Sequence, residues 1–350
     1  MGLATGYELA RRGRDVLVLE QFRVGHDRGS SHGRSRVYRL AYPEAEWVRL
    51  AQESLAGWRA LERETGETLL EQNGLLEVDP ISTSALDECG VPWESLDPGE
   101  VARRFPVTVP TGAMVMFQAD AGIVYADKAH EVFLAAARER GARLREETRV
   151  TSLEDLDAEV VVVTAGSWAK ELLAGVGIEL EVVPTRETVA YFELATDRPI
   201  PSLVVPVRGR HGFYALADPG YGLKAGHNRS GPPSDPDEEG APDPELAARI
   251  ADWAGKVFPL ADPEPSKVET CLYTNTADER FVLERRGRYI VGSACTGHGF
   301  KFAPVVGARL AELACASKAP PAAPPLRTPG SARRPSEPTG RANGVSDPRP

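Results

Sequence analysis

Cationic side chains and glycine-rich turns are the groups of this chain that look able to do chemistry. Arg34, Arg36 and Arg39 fall in one short stretch, GSSHGRSRVYRLAY, at residues 29–42. Such a run either holds an anion or forms a solvated basic face. Arg36 and Arg39 are three apart, so a helix would set them on one face. A second string, GSACTGHGFKFAP at residues 292–304, follows the apolar run 289–291 and precedes helical periodicity over 305–313. A strand, a glycine-rich turn and a helix start leave N–H groups free at Gly297, His298, Gly299 and Phe300, beside the positive end of the helix dipole. That suits a ligand carrying negative charge. Lys301 lies in the same string, and Lys224 lies in a third, GYGLKAGHNRSG at 220–231, after a hairpin turn. A lone strand lysine is ordinarily exposed. The cysteines Cys89, Cys271, Cys295 and Cys315 show no CxxC and no zinc-ligand spacing. Each reads as a buried small apolar residue, with no metal site and no disulfide framework.

These groups need a frame, and the N-terminal residues supply half of one. Residues 2–9 read as a helix, Gly13 as a turn, 16–19 as an apolar strand, and Glu20 closes it. In a nucleotide-binding βαβ unit the first turn reads GxGxxG, and an acid about 20 residues on binds the ribose hydroxyls. Gly2 fits the third glycine, Gly6 extends the close helix–sheet packing, and Glu20 is the acid. The first strand and the first two glycines, which let the backbone approach a pyrophosphate, would lie before Met1. The expectation is a reading frame that starts upstream. Its rival is an impaired fragment.

Composition narrows the classes. The chain has 350 residues, 42% of them hydrophobic and 26% charged, enough for two domains on one core. Its net charge of −10 gives no general attraction to nucleic acid or anionic membrane. No apolar run approaches the ~20 residues of a membrane span. No secretory leader pattern opens the chain, so the cytoplasm is the expected compartment. The Pro-, Ala- and Arg-rich segment 319–350 offers little to bury and reads as disordered.

The arginine-bearing stretch at 29–42 resembles the GSHHGDTRxxRxAY segment of the monomeric sarcosine oxidase and N-methyltryptophan oxidase family. The spacing from Glu20 to His32 is similar too. Residues 267–281, KVETCLYTNTADERF, resemble that family's CxYTxTxDxxF, and TGHGFKF at 296–302 is a long and unusual string of high specificity. The resemblance implies a mixed α/β fold: a Rossmann-like FAD-binding domain with an inserted antiparallel-sheet substrate domain. The first would comprise 1–72, 123–183 and 276–318, and the second 73–122 and 184–275. Weaker similarities at 120–129, 149–150, 161–172 and 182–192 imply further strands of these domains. Residues 74–106 are shorter than in the family, leaving a helix over 84–94, and the family's apolar last strand and arginine-bearing tail are absent.

The resemblance also implies roles. FAD would be joined by a thioether to Cys271. His32 and Arg36 would lie near the flavin ring, residues 297–301 against its pyrimidine edge, and Val150 near the adenine. Arg39 and Lys301 would clamp the substrate carboxylate, with Tyr214 in the active site. Lys224 would face the flavin from the side opposite the substrate and assist O2. The family's substrate-contacting histidine stands four residues after that lysine. Here Asn228 has that offset, and His227 would need a one-residue gap. Arg34 replaces a family Asp and has no implied role. The implied reaction is oxidation of a small secondary amino acid such as N-methylglycine to an imine, hydrolysis of the imine, and release of hydrogen peroxide by a monomeric protein. The alternatives are a flavin dehydrogenase or oxidase of another amino acid, such as a cyclic imino acid, and an inactive flavin-poor homologue.

Overall fold

The structure, a computed structural model, describes residues 1–206 and 212–316. The segment 319–350, read above as a disordered tail, lies outside the described residues.

The N-terminal helix Gly2–Arg11 and the strand Leu17–Leu19 form as the sequence predicts, and the strand pairs in parallel with Arg143–Arg145. The helix sits close to its neighbours. A Cβ on Gly6 would lie 3.1 Å from Val18 Cγ2, and one on Gly307 would lie 2.8 Å from the backbone of Ala4. The connecting helix Ala126–Glu139 buries Ala129, Phe133, Ala136 and Ala137 along one stripe. A second parallel pairing joins Val161–Val163 to Tyr289–Ser293, which also pairs with Val282–Arg286. The helix Ala303–Cys315 follows that strand after one 3-10 turn, Phe300–Phe302.

Residues 35–38 are a strand, not the helix that the Arg36–Arg39 spacing suggested, and they pair with Gly122–Tyr125. In extended chain, residues three apart face opposite ways. The long helix Ala45–Thr65 follows, with Trp47, Val48, Ala51, Trp58 and Leu61 buried, and ends at Gly66 in the left-handed region (φ 74°). The helix expected over 84–94 is shorter, Ser84–Glu88, because Glu94–Leu96 pairs as an edge strand with Val115–Gln118.

An eight-stranded sheet makes up the rest. Its order is Lys267–Asn275, Val183–Phe192, Gly222–His227, Phe213–Asp218, Ser202–Val204, Leu75–Val78, Val115–Gln118 and Glu94–Leu96. All neighbours are antiparallel except Ser202–Val204 with Leu75–Val78. One face is apolar: Leu76, Phe117, Ala190, Phe192, Leu203, Ala215, Leu223 and Ala225 pack with Leu246, Ile250 and Ala254 of the helix Pro244–Val257. That helix starts where Asp243 accepts the N–H groups of Glu245 and Leu246, with Pro244 in its first turn. Burying each large aliphatic side chain here is worth about 1.5–3 kcal/mol. Among the described residues, no helix is long and apolar enough to cross a membrane, and no cluster of His, Cys, Asp or Glu is arranged to hold a metal ion.

Candidate active site

Strand alternation gives the sheet its second face. Register puts Lys224 opposite Tyr191 and Leu216, Gly226 opposite Val189 and Tyr214, and Cys271 opposite Glu187. Residues two apart share a face. So Cys271, Tyr273, Tyr191, Lys224 and Tyr214 all turn away from the apolar layer. Cys271, Tyr273, Lys224 and Tyr214 line a cleft of about 1980 Å³. Its other walls are the loop 29–32 with Arg36, the turn 292–301, and, further along, Gly2, Glu20 and Val150. Of the residues given a role from the sequence, the cleft gathers all except Arg39 and the alternatives His227 and Asn228.

Lys224 is buried, and its ammonium has no ion pair among the described residues. Burial first, then the nearby Arg36 guanidinium, pushes its pKa down to about 8. Gly33 lets this cluster close up. At φ +93°, its absent Cβ would sit 3.5 Å from both Arg36 Nη1 and Lys224 Nζ, and 3.7 Å from Tyr191 Oη. Arg36 clasps its own loop, donating to Ser35 O (2.9 Å), Ser30 O (3.1 Å) and His32 O. His32 Nδ1 lies 3.1 Å from Gly29 O. Burial, reinforced by Arg36, holds the pKa of His32 down to about 4, so the ring is neutral at pH 7. Cys271 Sγ lies 4.0 Å from Ser30 O, across from the same loop. Burial pushes its thiol up, and Arg36 and Lys224 pull it back. The phenols of Tyr214 and Tyr273 lie near each other beside it, and burial pushes both up.

The turn after Ser293 differs in detail from its expected form. Thr296 and Gly297 both take positive φ (40° and 80°), and Thr296 N–H anchors the turn to Thr274 O at 3.0 Å. His298 N–H is used inside the turn, donating to Cys295 O at 2.9 Å, so the run of N–H groups offered to a ligand is not continuous. The His298 ring enters an aromatic cluster, 5.0 Å from Trp47 and 5.2 Å from Phe281. The Lys301 carbonyl is fixed by Ser54 Oγ (2.5 Å) and Trp58 Nε1 (2.8 Å) from the long helix.

Arg39 and Lys301 converge from opposite ends of the chain. The Arg39 guanidinium lies 4.7 Å from the ring centre of Tyr42, and Lys301 Nζ lies 5.9 Å from it. Lys301 Nζ donates to His298 O at 2.8 Å, and Tyr42 Oη lies 3.3 Å from His298 Nδ1. Burial and Arg39 hold the Lys301 ammonium well below its usual pKa. Glu77 joins this corner, its Oε2 3.8 Å from Arg39 Nη1. Burial pushes the Glu77 carboxyl up, against the pull of Arg39. Sequence reading missed Glu77. Its signal was a lone acid inside the apolar strand Leu75–Val78.

His227 does not reach the cleft. It shares the parity of Leu223 and Ala225, so its ring meets Phe213 at 4.6 Å on the apolar face, and Phe213 stacks on Trp253. Asn228 goes the other way: a Cβ on Gly297 would lie 3.1 Å from its Oδ1. Arg34 pairs with the buried Asp218 (3.9 Å) and lies 4.9 Å from the ring centre of Tyr221, a role in the fold rather than in the cleft. At the far end, Glu20 Oε1 accepts Phe22 N–H at 3.0 Å. Arg149 and Val150 are not in a strand, contrary to expectation; Arg149 instead pairs with Asp237, which also accepts Trp168 Nε1 at 2.7 Å.

The cleft fits a long anionic, partly aromatic ligand. An unpaired buried ammonium and a turn with N–H groups stand at one end. A strand-terminal acid and a helix start without a Cβ at Gly2 stand at the other. FAD has this chemistry: a flavin that gains negative charge on reduction, a pyrophosphate and a ribose. The FAD dependent oxidoreductase (DAO) family matches residues 1–313. Peroxisomal sarcosine oxidase of Homo sapiens is 33% identical, covering 89% of each chain, and monomeric sarcosine oxidase of Bacillus sp. (strain B-0618) is 30% identical, covering 91% of this chain and 90% of its own. Among solved structures, NikD, an unusual amino acid oxidase essential for nikkomycin biosynthesis, superposes in its open form with a TM-score of 0.78 at 27% identity over 89% of this chain and 91% of its own. With its two-faced sheet, its cleft and these relatives, the chain belongs to the FAD dependent oxidoreductase family.

Proposed function

We propose that this protein is an oxidase of small secondary amino acids, sarcosine-like in substrate, that passes electrons to O2 and acts as a monomer. The observation that carries this reading is the convergence of Arg39 and Lys301 on Tyr42 beside the cleft. When bound, FAD supplies the acceptor for a hydride from the C–H next to nitrogen. The rest is the work of this chain's residues. Arg39 and Lys301 hold the substrate carboxylate, and Tyr42 spaces them. Glu77 already matches part of their positive charge, so the corner suits a monocarboxylate. Held there, the amine reacts as the free base, and positioning replaces a search in solution. The imine product leaves to water, which hydrolyses it to an aldehyde and an amine.

Lys224 and Cys271 share the sheet face turned to the cleft. Lys224 presents a positive charge where oxygen becomes negative. Cys271 is the proposed thioether link to FAD. His32 stays neutral, and Arg36 keeps the loop against the flavin side of the cleft. The residues 297–301 would meet the part of the flavin that gains charge, and Gly2, Glu20 and Val150 would serve the nucleotide end. The division into a FAD-binding part (1–72, 123–183, 276–318) and a substrate part (73–122, 184–275) follows the separation of the small sheets from the eight-stranded one.

The test is acid precipitation of the purified protein followed by assay of peroxide release from a panel of amino acids. Yellow colour kept in the pellet, lost in Cys271→Ala, supports the covalent link; a covalent flavin in Cys271→Ala sinks it. Peroxide from N-methyl amino acids supports the oxidase. Substrate-driven dye reduction without peroxide would make it a dehydrogenase.

A further inference from the structure

The cleft-facing side of the sheet carries a polar row that the reading above does not use. Tyr191 is 2% exposed, and its Oη donates to Glu269 Oε1. Glu269 Oε2 pairs with Lys267 Nζ at 2.5 Å, and the Lys267 side chain is 41% exposed. Register sets Tyr191 opposite Lys224 on one side and opposite Lys267 on the other. Tyr191 Oη and Lys224 Nζ flank one point, 3.7 and 3.5 Å from the absent Cβ of Gly33. Lys224 Nζ lies 5.3 Å from the centre of the Tyr191 ring, so the row runs from a buried ammonium, unpaired among the described residues, to a lysine at the surface, with the Tyr191–Lys224 step long enough to need a water between them. On the next residue the chain uses Phe192, on the apolar face. A phenol at 191 adds only an O–H to what a ring would fill, and burying that O–H is costly unless it is bonded.

We propose that Tyr191, Glu269 and Lys267 form a proton path from solvent to Lys224. This rests on the oxidase reading. Reduction of O2 to H2O2 takes two electrons and two protons; the electrons and one proton come from the hydride that the cofactor took from the substrate, and the second proton must come from the protein. One proton leaves the Lys224 ammonium and makes an O–H bond, so Nζ becomes a neutral amine. Glu269 takes a proton from solvent beside Lys267. The acid donates it to Tyr191 Oη, whose hydroxyl, turned from Glu269, passes its own hydrogen through a bridging water to Nζ. The net change is one solvent proton moved to peroxide, with every side chain restored. Tyr191 and Glu269 act through Lys224 and are positioning residues for its proton.

The surroundings are consistent with this. Glu269 faces Lys267 on its own strand, Tyr191 on the next and Lys224 on the one beyond, with His32 opposite on the loop. Lys267 also faces Tyr221 and Arg34; Lys224 also faces Arg36, Cys271 and Asp218. Burial works against the Glu269 charge, but the bonds from Lys267 and Tyr191 outweigh it and hold the carboxyl below its usual pKa. At rest it is a carboxylate, ready to accept.

The experiment uses the purified flavoprotein, wild type, Tyr191→Phe and Glu269→Gln. Reoxidation by O2 is followed by stopped flow at several pH values and at rising concentrations of imidazole, a small proton donor. Tyr191→Phe should slow the oxygen step on the order of 10²-fold, leave substrate reduction unchanged, and recover with imidazole. Independently of turnover, the flavin absorbance of the resting protein should report titration of Lys224, near 8 in the wild type. That midpoint should fall in Glu269→Gln, which loses the nearby negative charge. A variant reoxidised at the wild-type rate, or slowed with no recovery in imidazole, overturns the path; so does an unmoved midpoint in Glu269→Gln. Wild-type protein that releases no peroxide fails earlier and overturns the oxidase reading with it.

Discussion

The two faces of the eight-stranded sheet are made by the same strands and have opposite fates. Leu223 and Ala225 go down to the helix Pro244–Val257, while Lys224 between them goes up to the cleft. The same alternation sends His227 down to Phe213 and Tyr214 up to Tyr273. Strand parity, with a period of two, assigns each residue to stability or to chemistry. The difference teaches that a buried charge such as Lys224 is tolerated because the apolar layer below supplies the stability that this charge costs.

The sharpest way to break the comparison is on the polar face. Lys224→Met should slow flavin reoxidation by O2 about 10³-fold, the cost of losing one fixed charge at a developing anion. Stopped-flow reduction by substrate should change far less, and equal slowing of both steps would refute the role. The same lysine gives a pH signature. Its folded pKa, about 8, lies below the value near 10.5 of a free lysine. Between those values the unfolded chain binds more protons, so this group's contribution to stability rises with pH across that window. Below it the ammonium remains charged, at a cost to the fold. Oxygen reactivity should therefore fall as pH rises through about 8, while the stability contribution rises. Denaturant melts at several pH values should show that rise in the wild type and lose it in Lys224→Met.

On the apolar face, Ile250→Ala should cost about 3 kcal/mol of stability through the cavity it leaves. The flavin spectrum of the remaining folded protein should be unchanged. An altered spectrum would mean the two faces are not independent. Arg39→Ala comes next. It should weaken binding of a small carboxylate inhibitor about 30-fold, roughly 2 kcal/mol for a charge-assisted contact. Titration of the flavin absorbance measures this, and an unchanged dissociation constant would remove Arg39 from the clamp. The smallest effect is expected at His227. His227→Ala should lower stability by about 1 kcal/mol and leave KM for the amine as it was, whereas Asn228→Ala should raise KM. The reverse pattern would put His227 back in the pocket.

Much of this was legible. The helix Gly2–Arg11, the strand to Glu20 and the hairpin bearing Lys224 follow from periodicity and turn residues, which are local. The strings around Cys271 and Lys301 marked cleft walls because they are long and unusual. Parity was harder to read. A shift of one residue separates His227 from Asn228, and only pairing with Phe213–Asp218 sets His227 on the apolar face. Glu77 was missed because only the fold sets Arg39 beside it. The Arg36–Arg39 spacing pointed to a helix, yet pairing with Gly122–Tyr125 pulled those residues into a strand.

The sequence by itself determined which residues carry charge, where the chain must turn, and which stripe of each helix must be buried. Those depend on neighbours within one turn or one strand. The tertiary structure alone decided that Arg39 and Lys301 meet on one tyrosine and that Tyr191, Glu269 and Lys267 reach from solvent toward Lys224. Such meetings join residues far apart in the chain. They are set by register and by long-range packing, which no local pattern encodes.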